Sequence, residues 1–172
     1  MTSMITFQSL KKEHLPLLCR WLNTPHVNEW YGEQRSWTLE DVEKKYLPRF
    51  HNTTSKPIFC FIICQNEDPL GFIQYYNAYD YLRDQDLKID ALPSNLAALD
   101  FYIGESKALG RGLGSKILQQ FLISHIKPHY TACLVDPALH NQKAIHVYEK
   151  AGFKIIQSPL PHKYLWMIIK LS

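Results

Sequence analysis

Three glycines stand within five residues, at Gly110, Gly112 and Gly114, between two apolar runs. Residues 96–103 before them have the length of a strand, and residues 117–126 after them have helical spacing. Glycine lets a backbone approach a ligand closely, and a following helix directs its first N–H groups and its positive dipole end at a bound anion. The segment therefore predicts a diphosphate-binding turn; the alternative is a tight strand-to-helix connection without a ligand.

The commoner phosphate-binding motifs are absent from the sequence. It has no G-x-x-x-x-G-K-[ST], and no G-x-G-x-x-G near its beginning with an acidic residue about twenty positions further on. These absences count against a nucleotide triphosphatase and against a nicotinamide-dependent dehydrogenase.

The composition predicts one domain over residues 1–172, of which 46% are hydrophobic. No apolar run approaches the roughly eighteen residues of a membrane helix, and the first residues lack an export signal, so we expect a cytoplasmic protein without a membrane partner. Four cysteines in apolar surroundings, without a C-x-x-C pair, predict reduced core thiols. No pattern of histidines suggests a metal site.

The charge distribution points to a cationic ligand. The net charge is only +3 and no basic block occurs, which excludes an electrostatic footprint for nucleic acid. Locally the sign reverses, because residues 79–100 carry five aspartates and only two basic side chains. Such a segment attracts cations.

Hydrophobic spacing predicts the secondary structure. We expect strands at 5–7, 58–64, 70–76, 96–103, 131–135, 153–156 and 163–171. A first helix is predicted to start at Ser9 and stop at Pro25, and a second to start with a capping box at Thr38. Two further helices are expected over 113–125 and 141–150. The first of them connects the strands at 96–103 and 131–135, so these strands should be parallel neighbours. The irregular segment 77–95 reads as a functional loop or as disorder.

Two ordered motifs resemble the GCN5-related N-acetyltransferases (GNAT). The first is the glycine turn, and the second runs from Asn141 through Ala144 and Tyr148 to Gly152. The resemblance implies an α/β fold with a central mixed, mostly antiparallel sheet of about seven strands, helices on both faces and a splayed parallel strand pair at the acetyl-CoA site.

Acetyl-CoA is the co-substrate that the resemblance implies, with its pyrophosphate on the glycine turn. One departure is Leu109, where the family often has Gln or Arg, but the backbone contacts do not need that side chain. The implied acetyl-CoA-binding residues are Tyr102, Ile103, Leu109, Gly110, Arg111, Gly112, Leu113, Gly114, Ser115, Lys116, Asn141, Ala144 and Tyr148.

The first half of the sequence resembles aminoglycoside 6'-N-acetyltransferases. The matching pieces are residues 21–23, 26–27, 29–32 and 38–48, of which the first two are shared with enzymes that acetylate siderophore precursors. This resemblance implies that Asp100 is catalytic and that Asp136 lies near the substrate.

The chemistry gives each catalytic candidate a role. An amine attacks a thioester only when neutral, so Asp100 would hold the substrate ammonium and accept its proton, directly or through water. Tyr148 would donate a proton to the leaving thiolate; its alternative role is packing in the core. A backbone N–H near Tyr102 would stabilise the oxyanion, and no metal is required.

An acceptor pocket for a polycationic sugar needs carboxylates and aromatic walls. The predicted walls are Trp30 and Tyr31, and the predicted acids, besides Asp100, are Asp84, Asp86, Asp90 and Asp136. The alternative interpretation of the first three acids is solvated loop charges, and that of Asp136 is a turn before proline.

Three functions are consistent with these residues. The first is acetylation of an aminoglycoside by direct transfer in a ternary complex, by a monomer or homodimer. The second is acetylation of another amine: a siderophore precursor, a polyamine, or a protein N-terminus or lysine. The third is a module that binds acyl-CoA or a drug without catalysis.

Overall fold

A computed structural model of the protein describes residues 3–51, 54–82, 92–158 and 160–172. In these residues seven strands form one sheet in the order β1-β2-β3-β4-β5-β7-β6. The strands are β1 (Ile5–Ser9), β2 (Ile58–Gln65), β3 (Asp68–Asn77), β4 (Leu96–Ile103), β5 (Ala132–Val135), β6 (Lys154–Ile156) and β7 (Trp166–Lys170). The predicted mixed sheet is confirmed.

The chain forms two compact units, one from residues 1–74 and 100–111 and the other from residues 75–99 and 112–172. Strands β3 and β4 each contribute residues to both. The single domain over 1–172 stays a prediction, and the units are described separately below.

Three short helices, α1 (Leu15–Leu22), α2 (Pro25–Asn28) and α3 (Leu39–Tyr46), belong to the first unit. Strand β1 pairs with β2 in antiparallel register, Ile5 opposite Gln65. The apolar face predicted for α1 is confirmed, since its side chains at three- and four-residue spacing have at most 1% exposure: Leu15, Leu18, Trp21 and Leu22. The β2–β3 connection is tighter than expected, because Asn66 and Glu67 take positive φ and close a two-residue turn.

Of three predicted helix boundaries, one is confirmed and two are wrong. The capping box is present: Thr38 Oγ1 accepts from the N–H of Asp41 and Asp41 Oδ2 accepts from the N–H of Thr38. Ser9 does not cap a helix, because it is paired opposite Phe61 in the sheet. Pro25 does not stop α1, which ends at Leu22; it opens α2, where the N–H that proline lacks would have no helical acceptor.

The second unit contains a strand, helix, strand crossover. Residues 96–98 of β4 pair with β5 in parallel, Leu96 opposite Ala132, as predicted. Helix α4 (Leu113–Phe121) lies between them in the chain and continues as a π-helical turn, Leu122–Ile126. Helix α5 (Gln142–Ala151) follows, ended by Gly152 at φ +109°. Strand β7 pairs antiparallel with both β5 and β6.

All four cysteines are in the reduced thiol form, as predicted. Cys64 and Cys133 are buried, and the other two are half-buried. Within the described ranges no helix has the length and apolarity needed to cross a membrane.

Candidate active site

The glycine turn has the backbone conformation that glycine supplies. Gly110 and Gly112 have φ of +70° and +69°, in the left-handed region that other residues rarely adopt. A Cβ added at either position would meet nothing within 4 Å, so the positive φ, and not crowding, is the reason for glycine there. Both residues are exposed, so the turn presents main-chain atoms to solvent.

Helix α4 begins directly after this turn, with Gly112 as its N-cap. No side chain caps the helix and its first turn contains no acidic residue, so its first N–H groups remain available to an anion. Leu113, Gly114 and Ser115 are buried, while Lys116 is exposed. The predicted phosphate-binding turn therefore has the polarity that a diphosphate requires.

The second motif is placed on α5. Asn141 precedes the helix and its Oδ1 accepts from the N–H of Ala144 at 3.2 Å, so it is the N-cap. Tyr148 is only 3% exposed, and its ring packs edge-on against Phe153, with centroids 5.6 Å apart. This burial is what the packing interpretation of Tyr148 expects, and its catalytic role stays a prediction.

Asp100 lies on β4, half-buried, and is held by a neighbour on β3. Its Oδ2 accepts a hydrogen bond from Gln74 Nε2 at 2.9 Å. The other end of that amide, Gln74 Oε1, accepts from Arg49 Nη1 at 2.6 Å, and Cys60 Sγ lies 3.7 Å from the same oxygen. Asp100 is therefore linked through Gln74 to the Arg49 guanidinium.

Side chains of α3 and β2 that interact electrostatically with Asp100 have shifted pKa values. Burial lowers the pKa of the Lys45 ammonium, which packs 5.1 Å from the centre of the Trp37 ring. Burial raises the pKa of Tyr46 and also that of the Cys60 thiol, although Arg49 opposes the shift in both. These shifts mark a poorly solvated region in which charge interactions are strong.

Tyr102 lies two residues beyond Asp100, so the pleat places it on the same face of β4. Its ring stacks on Phe72 and packs against Tyr31, with centroids 5.5 and 5.2 Å apart. In the described part of the chain its hydroxyl has no hydrogen-bond partner, and burial raises its pKa well above the usual value. The next residue, Ile103, accepts at its carbonyl a hydrogen bond from His26 Nε2 at 2.8 Å.

The predicted acceptor-binding residues occupy different surroundings. Trp30 is 39% exposed, and Tyr31 is half-buried on Tyr102. Asp136 is exposed directly after β5. The predicted acids Asp84, Asp86 and Asp90 lie outside the described residues. Of the remaining predicted residues, Leu109 and Arg111 are exposed on the glycine turn.

Sequence reasoning missed the neighbours of Asp100: Arg49, Cys60, Gln74 and Lys45. One signal for Gln74 was available, because it is the single polar residue in the apolar run at 70–76 that forms β3. Among residues 3–51, 54–82, 92–158 and 160–172, no group of His, Cys, Asp and Glu is arranged to hold a metal ion.

Comparison with known proteins identifies the domain. Residues 11–158 match the family model described as an acetyltransferase (GNAT) domain. The chain is 30% identical over 152 residues to aminoglycoside N(6')-acetyltransferase type 1 of Klebsiella pneumoniae, a match that covers 87% of this chain and 74% of that protein.

Solved structures agree with the sequence comparisons. The structure of AAC(6')-Ib with coenzyme A and kanamycin is 28% identical, with a TM-score of 0.78 and coverage of 97% of this chain and 95% of that one. The aminoglycoside N(6')-acetyltransferase of Legionella pneumophila is 25% identical, with a TM-score of 0.72 and coverage of 99% and 94%. The predicted fold is confirmed.

Proposed function

Because the chain belongs to the GNAT family of acetyltransferases and is an N-acetyltransferase that uses acetyl-CoA, we propose that its acceptor is the 6'-amine of an aminoglycoside. The observation that carries this proposal is the likeness to aminoglycoside 6'-acetyltransferases along almost the whole chain. The surroundings of Asp100 support it, since a fixed carboxylate is what a substrate ammonium requires.

The glycine turn and the start of α4 fit the pyrophosphate of acetyl-CoA. Gly110 and Gly112 hold the backbone in a conformation that exposes its N–H groups, and no acidic side chain in the first turn of α4 opposes an anion. Arg111 and Lys116 add positive charge near the same turn. When bound, acetyl-CoA supplies the acetyl thioester that the amine attacks.

Asp100 is the proposed base. Its carboxylate would pair with the substrate ammonium and then accept or relay the proton as the nitrogen becomes nucleophilic. Gln74 donates to Oδ2 and so fixes the direction in which the carboxylate presents its lone pairs. A fixed orientation lowers the cost of aligning the amine for attack.

Tyr148 is the proposed donor of a proton to the leaving sulfur. Its ring is immobilised against Phe153, so a transfer would need no ordering of the side chain. Asn141 and Ala144 begin the same helix, and their capping hydrogen bond fixes the end of α5 that the family places beside the pantetheine arm.

Trp30 and Tyr31 are proposed as the walls of the acceptor site, and Asp136, Asp84, Asp86 and Asp90 as the acids that pair with the other ammonium groups of the substrate. We further propose that the protein works in the cytoplasm as a monomer or homodimer, without a nucleic-acid or membrane partner.

An acceptor screen tests the proposal. Release of free CoA thiol is measured with kanamycin- and tobramycin-type aminoglycosides, with spermidine, with a hydroxamate precursor and with a peptide, and mass and NMR analysis then locates the acetyl group. Turnover at the 6'-amine supports the proposal, whereas turnover confined to another amine overturns the substrate class.

Two variants then test the catalytic roles. Asp100→Asn and Tyr148→Phe should lower kcat by about a hundredfold or more while calorimetry finds unchanged affinity for CoA. Unchanged rates in either variant would remove that residue from the mechanism.

A further inference from the structure

Arg49 is a half-buried guanidinium without an acidic partner in the described parts of the chain. It lies at the end of the 3₁₀ turn Leu47–Arg49 that follows α3, and it packs 5.0 Å from the centre of the Tyr46 ring. Its Nη1 donates to Gln74 Oε1 and lies 3.8 Å from Cys60 Sγ. Among the described residues, the hydrogen bond from the Arg49 guanidinium to Gln74 takes the place of an ion pair.

The donor and acceptor groups at the two ends of the Gln74 amide explain what Arg49 does. A guanidinium can only donate hydrogen bonds and a carboxylate can only accept them, whereas a primary amide has one end of each kind. With Arg49 on one side of Gln74 and Asp100 on the other, only one amide orientation satisfies both neighbours: Oε1 toward Arg49 and Nε2 toward Asp100. The rotated amide would place oxygen against a carboxylate and N–H against a guanidinium.

We infer that Arg49 is a positioning residue for acetyl transfer, acting through Gln74, which it holds in the orientation that donates to Asp100. The inference rests on the proposed function, because it assumes that Asp100 handles the substrate ammonium. Without Arg49 the Gln74 amide loses its charged partner at Oε1, so its orientation is held less firmly and the carboxylate loses its donor for part of the time. Arg49 touches neither substrate nor acetyl-CoA in this role.

Other groups near Asp100 act differently from Arg49. Lys45 and Tyr46 of α3 and Cys60 of β2 influence it electrostatically. Cys60 is also a weak thiol donor to Gln74 Oε1, at 3.7 Å, and so favours the same amide orientation as Arg49. The shorter, charged hydrogen bond from Arg49 holds that orientation more strongly, and a double-mutant cycle measures this contribution.

The kinetic test combines Arg49→Met, Gln74→Leu and the double variant. We expect Arg49→Met to lower kcat for the acceptor about tenfold with little change in the KM for acetyl-CoA, since an orienting group has been removed and the base itself remains. In the Gln74→Leu background the same substitution should have no further effect. Equal effects in both backgrounds, or wild-type kinetics for Arg49→Met, would overturn the inference.

Two further variants serve as controls. Lys44→Met removes one positive charge from an exposed side chain of α3 that pairs with Glu40, and it should leave kcat unchanged. Arg49→Lys keeps a donor and should recover part of the lost rate. Thermal unfolding checks that each variant is folded. If Arg49→Met is unfolded, the double-mutant cycle is measured with Arg49→Lys in the wild-type and Gln74→Leu backgrounds instead.

A second readout is independent of turnover. The side-chain NH₂ resonances of Gln74, assigned by their loss in Gln74→Leu, should be two well-separated proton signals in the wild type, because one proton faces a carboxylate. In Arg49→Met they should move together or broaden. If the Gln74 resonances are the same in Arg49→Met as in the wild type, the inference is contradicted, whether or not an amine is acetylated. If the wild-type protein acetylates none of the amines in the acceptor screen, the proposed function alone is contradicted.

Discussion

Replacement of Gly104 by alanine should destabilise the first unit strongly, because the added methyl group has no room beside Trp21. Gly104 follows β4, and its N–H donates to the carbonyl of Leu70 at 2.8 Å. A Cβ at this position would lie nearer than 3.0 Å to three atoms of the Trp21 indole. Ordinary contacts begin near 3.4 Å, so either the indole or the strand end has to move.

Neither can move cheaply. Trp21 is 0% exposed, its Nε1 donates to Glu105 at 2.9 Å, and its ring meets that of Tyr102 edge-on. Overpacking of such a site costs about 1–3 kcal/mol, and a required shift of about an ångström points to the upper end, about 3 kcal/mol. For a chain of this length that corresponds to a melting temperature lower by about 6–12 °C.

Gly112→Ala is the matched control, because a Cβ there meets nothing within 4 Å and only the positive φ is penalised, by about 1 kcal/mol. Urea denaturation of the wild type and both variants measures the free energies of unfolding. A loss for Gly104→Ala no larger than that for Gly112→Ala would refute the reasoning, since crowding at Gly104 is expected to cost more than the positive φ at Gly112.

Three other outcomes follow from single side chains. Tyr102→Phe should leave the free energy of unfolding unchanged or raise it by up to about 1 kcal/mol, because it deletes a buried hydroxyl without a described partner. A decrease of more than about 1 kcal/mol in urea denaturation would instead reveal a partner for the hydroxyl. Hydrogen bonds from Arg20, aided by Trp21, hold the pKa of Glu105 below its ordinary value of 4.5, so its stabilisation is complete above that pH and is lost as pH falls through the lowered folded value. Glu105→Gln should therefore flatten the fall in melting temperature from roughly pH 6 to pH 3, and an unchanged slope would contradict this. Gly112→Ala should also weaken acetyl-CoA binding in calorimetry about tenfold, because relief of the strained φ turns the N–H groups of α4 away from the pyrophosphate.

The elements were predictable where the pattern was local and strong. Strand β4 was predicted with its observed bounds, 96–103, because an apolar run interrupted by Asp100 alone ends at Gly104. The capping box at Thr38 was predictable because it involves residues three apart in the chain. Ser9 was mistaken for a helix cap because the same residue type also ends strands, and only its pairing with β2 decides between the two.

The conformation of the glycine turn was predictable because it is local. The glycine turn needs only a local conformation, which the sequence specifies through positive φ at two positions. The neighbours of Asp100 come from three segments, near residues 49, 60 and 74, and no local pattern relates them. For Tyr148 the sequence allows two roles, because its spacing on α5 fits both a core residue and a proton donor. Its burial agrees with a core residue and does not test whether it donates a proton.

The surroundings of Asp100 also bear on how, in the proposed mechanism, a bound ammonium loses its proton. A carboxylate favours the protonated amine, which helps binding and hinders attack. Lys45 is a cation that interacts electrostatically with Asp100 in a poorly solvated region. Like charges disfavour the protonated form, so Lys45 offsets part of the effect of the carboxylate on an ammonium bound there. In the proposed site a basic side chain therefore contributes beside the acid, which a search of the sequence for carboxylates alone does not reveal.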